Sequence, residues 1–142
     1  MFGKTLIPVV ISGKEYLNLE NKNGAEPGKE GRTLYSYNLS TKELVDDSVR
    51  IAKFEQKNWE KTSIEKIKEI MGNCAKIMEE NRARLIAAMM RDGGKTISEA
   101  DPEISEAIDF VRFYALSAQN LNKESSAHGV VVIAPPWNFP YA

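Results

Sequence analysis

Residues 129–142 read GVVVIAPPWNFPYA, and the rest of the chain is organised around them. Val130, Val131, Val132 and Ile133 form a β-branched run with no polar alternation, the pattern of a strand buried on both faces. Pro135 and Pro136 end it, because neither donates to a strand ladder and both hold the chain in a stiff extended path. Trp137, Asn138 and Phe139 sit on the turn that follows, closed by Pro140. Open α/β sheets place their ligands where a strand runs out into such a loop. An amide held between two aromatic rings suits Asn138 as a donor to a developing oxyanion, with the rings covering an apolar or planar ligand. The same letters also read as a proline-bracketed turn in which Trp137 plugs a core.

Working outward, 142 residues are a one-domain length, able to bury about 70% of the unfolded surface. With 19 basic and 20 acidic side chains the net charge is -1, which supplies no field for nucleic acid or an anionic membrane. One cysteine excludes an internal disulfide framework and a multi-cysteine metal site, so no metal is expected and a reducing, cytoplasmic setting fits best. The opening MFGKTLIPVVISGKEY lacks the charged and small-residue flanks of a signal peptide, and nothing approaches the length of a membrane span.

Residues 6–11 and 15–19 flank Ser12-Gly13-Lys14 and predict a β-hairpin. The polar, glycine-rich residues 20–32 read as a solvated loop, and residues 33–39 (TLYSYNL) as a third short strand. Capping boxes at Ser40 with Glu43, Thr62 with Glu65 and Thr96 with Glu99 predict three helix starts. The first helix ends near Trp59. The second carries a stripe of Ile64, Ile67, Ile70, Met71, Cys74, Ile77 and Met78, continued by Leu85, Ile86, Met89 and Met90 to a C-cap at Gly93-Gly94. Cys74 on that stripe is expected to act as a small buried hydrophobe rather than a nucleophile. Asp101-Pro102-Glu103 is a possible second start or kink in the next helix. Its apolar face runs through Ile104, Ala107, Ile108, Val111, Tyr114, Ala115, Ala118 and Leu121. Residues 120–129 form a polar connection with the lone His128, expected to be solvated. No repeat, phosphate-cradling glycine loop or Ser-His-Asp set is present.

Pro136-Trp137-Asn138-Phe139-Pro140 after an apolar strand resembles the PWNFP motif of the aldehyde dehydrogenase superfamily. Asp92-Gly93-Gly94-Lys95-Thr96 resembles that family's E-x-G-K-[PT] turn, with Asp for Glu. The helix 105–115 (SEAIDFVRFYA) is similar to that of the branch oxidising glutamate γ-semialdehyde to glutamate in proline breakdown, the delta-1-pyrroline-5-carboxylate dehydrogenases. The short link to Gly129 resembles the bifunctional proline-utilisation enzymes. The resemblance implies that Asn138 is the catalytic oxyanion donor and that Ala134, Pro135, Pro136 and Trp137 line a nicotinamide cofactor, NAD or NADP. Pro135 stands where Ser or an apolar residue is usual, so a carbonyl contact to the cofactor survives there and an amide contact does not. It further implies that Glu106 meets the substrate ammonium while Phe139 packs on its aliphatic stem; without the resemblance, Glu106 reads as an exposed helix residue paired with a neighbour. A buried zwitterion does require a carboxylate partner.

The expectation is therefore an α+β chain: residues 1–39 as hairpin and strand, 40–122 as three to four long helices, and 129–142 as terminal strand and turn. It is the N-terminal part of an α/β aldehyde dehydrogenase, with a small-molecule substrate and homo-oligomeric in the complete enzyme. The family's nucleophilic Cys and general-base Glu lie downstream of PWNFP, so the chain is expected to be truncated and not to turn over alone. The alternatives are a fragment of another aldehyde dehydrogenase and a non-catalytic helical module that lends residues 129–142 to a partner sheet. An unpaired VVVI edge is also an aggregation hazard.

Overall fold

A computed structural model describes residues 5–121 and 126–142. Sequence expectations about the first four residues, and part of the connection over 120–129, fall outside them. The fold is α+β. Two small sheets come first: β1 (Leu6–Ile7), β2 (Val9–Ile11), β3 (Lys14–Tyr16), β4 (Asn21–Ala25) and β5 (Thr33–Asn38). The hairpin forms between β2 and β3, with Val9 opposite Tyr16 and Ile11 opposite Lys14. Its two-residue turn has φ of 51° at Ser12 and 77° at Gly13, the positive pair that matches strand twist in tight hairpins. Pro8 splits the expected first strand, so β1 leaves the hairpin and pairs in parallel with β5 instead.

Residues 20–32 are not wholly a loop. Asn21–Ala25 pairs antiparallel with β5, giving a sheet of order β1-β5-β4, and only the turn beyond it is irregular. Polar NKNGA hides this strand because it lies at an edge and exposes nearly all its side chains. Gly24 explains the residue choice there, since a Cβ at that position would overlap the ring of Tyr35 on the neighbouring strand. Gly24→Ala is expected to lower stability by about 1–3 kcal/mol, as overpacking does. Urea denaturation checks this, and an unchanged midpoint would contradict it.

Four helices follow: α1 (Lys42–Trp59), α2 (Ile64–Glu80), α3 (Arg82–Asp92) and α4 (Ile97–Ser117), then a 3-10 turn at Ala118–Asn120. The first two start one residue later than the boxes predicted. Thr41 caps α1 by accepting from Leu44 N–H, and Ser63 caps α2 by accepting from Lys66 N–H. In both places two hydroxyl residues stand side by side, and the one nearer the helix takes the cap. Thr96 caps α4 as expected: the Glu99 carboxylate accepts from the Thr96 N–H at 2.8 Å. No restart occurs at Pro102. The helix runs through it, with Pro102 exposed and only the hydrogen bond to the Ser98 carbonyl forgone.

The core lies among α2, α3 and α4, where Ala75, Met89, Ala100, Ile104 and Ile108 are buried and Leu85, Ile86 and Val111 pack on them. Arg82 at the start of α3 donates to Asp101 Oδ1 at 2.7 Å and to Ser105 Oγ at 2.7 Å, fixing α3 against α4. The buried face of α4 stops short of its expected length, since Tyr114 and Leu121 are exposed. On α2 the core position belongs to Ala75, while Cys74 is exposed and Ile77 points out; the thiol is not the buried hydrophobe expected. No residue of α1 is buried.

The expected terminal strand is the largest departure. Among the described residues Val130, Val131, Val132 and Ile133 pair with no strand, and Val132 and Ile133 are 85% and 84% exposed. Gly129, at φ +101°, lets this segment pass close to Gln56 on α1.

Candidate functional site

The site is built where the α3–α4 turn meets residues 134–142. α3 ends at Asp92, and Gly94 takes φ +68°, a left-handed conformation that turns the chain toward Thr96. Two contacts fix this turn to the sheet. Tyr35 Oη donates to Asp92 Oδ1 at 2.9 Å, and burial together with that bond pushes the Tyr35 phenol up to about 12. Glu26 accepts from Arg91 and pairs with Arg32, each at 3.2 Å. The Arg91 hydrogen bond holds its carboxyl below the ordinary value.

Lys95, the next residue, points inward. Its Nζ forms an ion pair with Glu103 on α4, donates to the Asn138 carbonyl at 2.9 Å, and stands 4.8 Å from the centroid of the Phe139 ring. Glu103 is buried, its side chain only 1% exposed. Its Oε2 meets Lys95, while its Oε1 accepts the Tyr141 N–H at 2.7 Å and the Ala142 N–H at 3.0 Å. Burial pushes the Glu103 carboxyl up, but the Lys95 hydrogen bond and the two backbone amides outweigh it, so the group titrates below its ordinary value. Phe139 N–H donates to the Pro136 carbonyl at 3.2 Å, closing the turn around Trp137 and Asn138. Tyr141 then packs onto the α2–α3–α4 core, and burial raises its phenol. The turn is therefore tied to the helices at Asn138, Tyr141 and Ala142.

Around this turn the expected site residues fall into neighbouring hollows. Glu106 shares one of about 630 Å³ with Ala134, Pro135, Pro136 and Phe139. Asn138 lies on the other side, with Trp137, Phe139, Gly94 and Lys95 around about 440 Å³. Pro135, Pro136 and Trp137 also face Asp92 and Gly93 across a third of about 430 Å³. Phe139 is thus the wall shared by the Glu106 and Asn138 sides, which are separate hollows among the described residues. A larger depression of about 690 Å³ at the start of α4, between Met90 and Ile97, touches none of the expected residues. Trp137 is 81% exposed, so it plugs no core among the described residues. Glu106 is exposed and has no ion-pair partner among the described residues, so it is not the neighbour-paired helix residue that its setting alone suggested. The Asn138 carboxamide likewise has no hydrogen-bond partner among the described residues; only its backbone carbonyl is held.

Lys95 and Glu103 hold the turn of this site, and the sequence expectations give them no role there: Lys95 is only a motif letter and Glu103 only part of a possible helix start. The available signal was register: Glu103 lies between Ala100 and Ala107 on the buried stripe of α4, where a carboxylate demands a partner. Among the described residues no group of three or more His, Cys, Asp or Glu is placed to hold a metal ion, and no helix is long and apolar enough to cross a membrane. His128 is exposed.

The chain belongs to the aldehyde dehydrogenase family, whose profile matches residues 20–142. More narrowly, it is similar to the 1-pyrroline-5-carboxylate dehydrogenase of Staphylococcus aureus (strain MW2), at 28% identity over 150 residues, covering 96% of this chain and 29% of that one. The protein of the same name from Geobacillus sp. (strain WCH70) is 28% identical over 149 residues, covering 95% and 29%. Among solved structures, proline utilization A from Bdellovibrio bacteriovorus, inactivated by N-propargylglycine, matches with a TM-score of 0.84 and 26% identity over 96% of this chain and 16% of that one. The 1-pyrroline-5-carboxylate dehydrogenase from Thermus with bound NAD superposes with a TM-score of 0.85 over 99% of this chain and 30% of that one; at 23% identity it speaks to the fold. The chain spans 29% of the length of the Staphylococcus aureus and Geobacillus dehydrogenases.

Proposed function

We propose that these residues are the N-terminal portion of an NAD(P)-dependent dehydrogenase that oxidises glutamate γ-semialdehyde to glutamate. The observation that carries this reading is the joint placement of Glu106 and Phe139 on one apolar hollow bounded by Ala134, Pro135 and Pro136. Glu106 is an unpaired carboxylate at the rim of an otherwise apolar cleft, which suits an ammonium group that would be costly to leave unpaired. The Phe139 ring offers the adjoining aliphatic stem a flat contact. Asn138, on the far side of that ring, carries a carboxamide free to donate to an oxygen that gains charge in the reaction.

A nicotinamide cofactor, when bound, accepts the hydride. The residues present fit one end of it. Trp137 and Ile133 present uncovered apolar surface for a planar ring, and the Ala134, Pro135 and Pro136 carbonyls can accept hydrogen bonds, whereas Pro135 and Pro136 offer no N–H. No glycine-rich phosphate cradle exists in this sequence, so the diphosphate is held by other residues of the family domain.

Glu106→Gln tests the substrate assignment in a fusion that joins this chain to the remainder of an aldehyde dehydrogenase domain, including the family's Cys and general base. The expected result is a KM for glutamate γ-semialdehyde raised about tenfold or more, the scale of a lost charge-assisted hydrogen bond, with little change for a simple aliphatic aldehyde. Equal effects on the two substrates would remove Glu106 from ammonium binding.

A further inference from the structure

We infer that Lys95 and Glu103 are positioning residues: their buried ion pair sets where the Asn138 carboxamide and the Phe139 ring stand. The role in catalysis rests on the reading above, while the clamp itself stands on geometry alone.

Residues 134–142 have few other means of staying in place. Pro135, Pro136 and Pro140 have no N–H, Trp137 is 81% exposed, and the run Val131 to Ile133 pairs with nothing among the described residues. The turn's own hydrogen bond, from Phe139 to Pro136, fixes its shape but not its position on the helices. Position comes from Lys95 on the Asn138 carbonyl, from Glu103 on the Tyr141 and Ala142 amides, and from Tyr141 against the core. The Asn138 side chain makes no bond of its own among the described residues, so its aim is inherited from the backbone that Lys95 holds.

A purely structural role does not account for the pair. Taking a carboxylate and an ammonium out of water is costly, and apolar residues of similar volume often serve a core as well or better. An apolar pair offers nothing directional. A carboxylate with two acceptor oxygens and an ammonium with three donors can instead hold one another and three backbone atoms of the turn together. Lys95 also starts from the Gly93-Gly94 turn, whose φ of +68° at Gly94 brings the side chain in from one side while Glu103 rises from α4 on the other.

The test separates stability from position in the 142-residue chain by NMR and thermal melting. In the double variant K95M/E103L the helical core should melt at or above the parent temperature. Exchange of the Tyr141 and Ala142 amides should accelerate tenfold or more, and the Asn138 carboxamide and Trp137 indole resonances should move to those of a flexible peptide. A folded double variant with unchanged exchange and unchanged resonances would overturn the inference. A second readout needs no variant: the parent chain should show scalar couplings across the hydrogen bonds from the Tyr141 and Ala142 amide nitrogens to Glu103 Cδ, and a folded chain without them would overturn it equally. The functional reading fails separately. If the clamp variants free the turn but Asn138→Ala leaves turnover of the fused enzyme unchanged, the clamp holds and the oxyanion role falls.

Discussion

Asn138→Ala is expected to lower kcat by about 10²–10³-fold in the fused, catalytically complete protein, with KM for the aldehyde changed far less. An oxyanion donor interacts with charge that develops on the carbonyl oxygen, so its removal raises the transition state more than the bound ground state. The structure makes the substitution a clean one. The carboxamide has no partner among the described residues, so truncation leaves no buried group orphaned, and the backbone carbonyl that Lys95 grips is retained. The helical core should therefore keep its melting temperature while turnover collapses. A loss of kcat confined to a few-fold would place the oxyanion donor elsewhere.

Lys95→Met alone is expected to destabilise the chain by about 3–5 kcal/mol, the usual result of removing one partner from a buried ion pair. Glu103 would keep its two backbone donors but lose the only cation facing it among the described residues, with its side chain 1% exposed. Part of that cost should be relieved by acid. Because the folded-state value for Glu103 lies below its unfolded value, its contribution is present above the ordinary carboxylate range and lost as pH falls through the depressed folded value. In the Lys95→Met variant this acid-side loss should shrink, since the main group favouring the ionised form has gone. Urea unfolding at neutral and acidic pH in parent and variant measures both effects. A variant as stable as the parent at neutral pH would contradict the account of Glu103 as a buried charge in need of Lys95.

Local chemistry was legible in the sequence wherever one helix or one turn decided the outcome. Thr96 with Glu99 capped α4, the Ser12-Gly13 pair made its tight hairpin, and Gly93-Gly94 ended α3. Errors of one residue arose where Ser40 competed with Thr41 and Thr62 with Ser63, because either hydroxyl satisfies the same orphan amide. Strand β4 escaped notice because its side chains stay in water and its pairing lies with a strand eight residues further on. The stripe through Ile70, Cys74 and Ile77 predicts a buried thiol. Packing against α4 instead buries Ala75 on α2, with Met78 of the same stripe and Leu85 on α3 packed against the core.

The site was half legible. The five letters PWNFP and the helix carrying Glu106 single out Asn138, Phe139 and Glu106 as candidates, and the fold brings Glu106 and Phe139 onto one hollow. Periodicity could not show that Asn138 would stand on the opposite side of Phe139. Nor could it show that Lys95 would reach across to Asn138, 43 positions later, since such contacts depend on how the α3–α4 turn meets the last residues. The composition of the VVVI run predicts a strand, but a strand requires a neighbour, and none of the described residues supplies one.

The deciding measurement is NAD(P)-dependent oxidation of glutamate γ-semialdehyde by the fusion of this chain with the remainder of an aldehyde dehydrogenase domain. Glutamate and reduced cofactor should form in equal amounts, with preference over simple aliphatic aldehydes that disappears in Glu106→Gln. Oxidation of simple aldehydes with no turnover of the semialdehyde would contradict it.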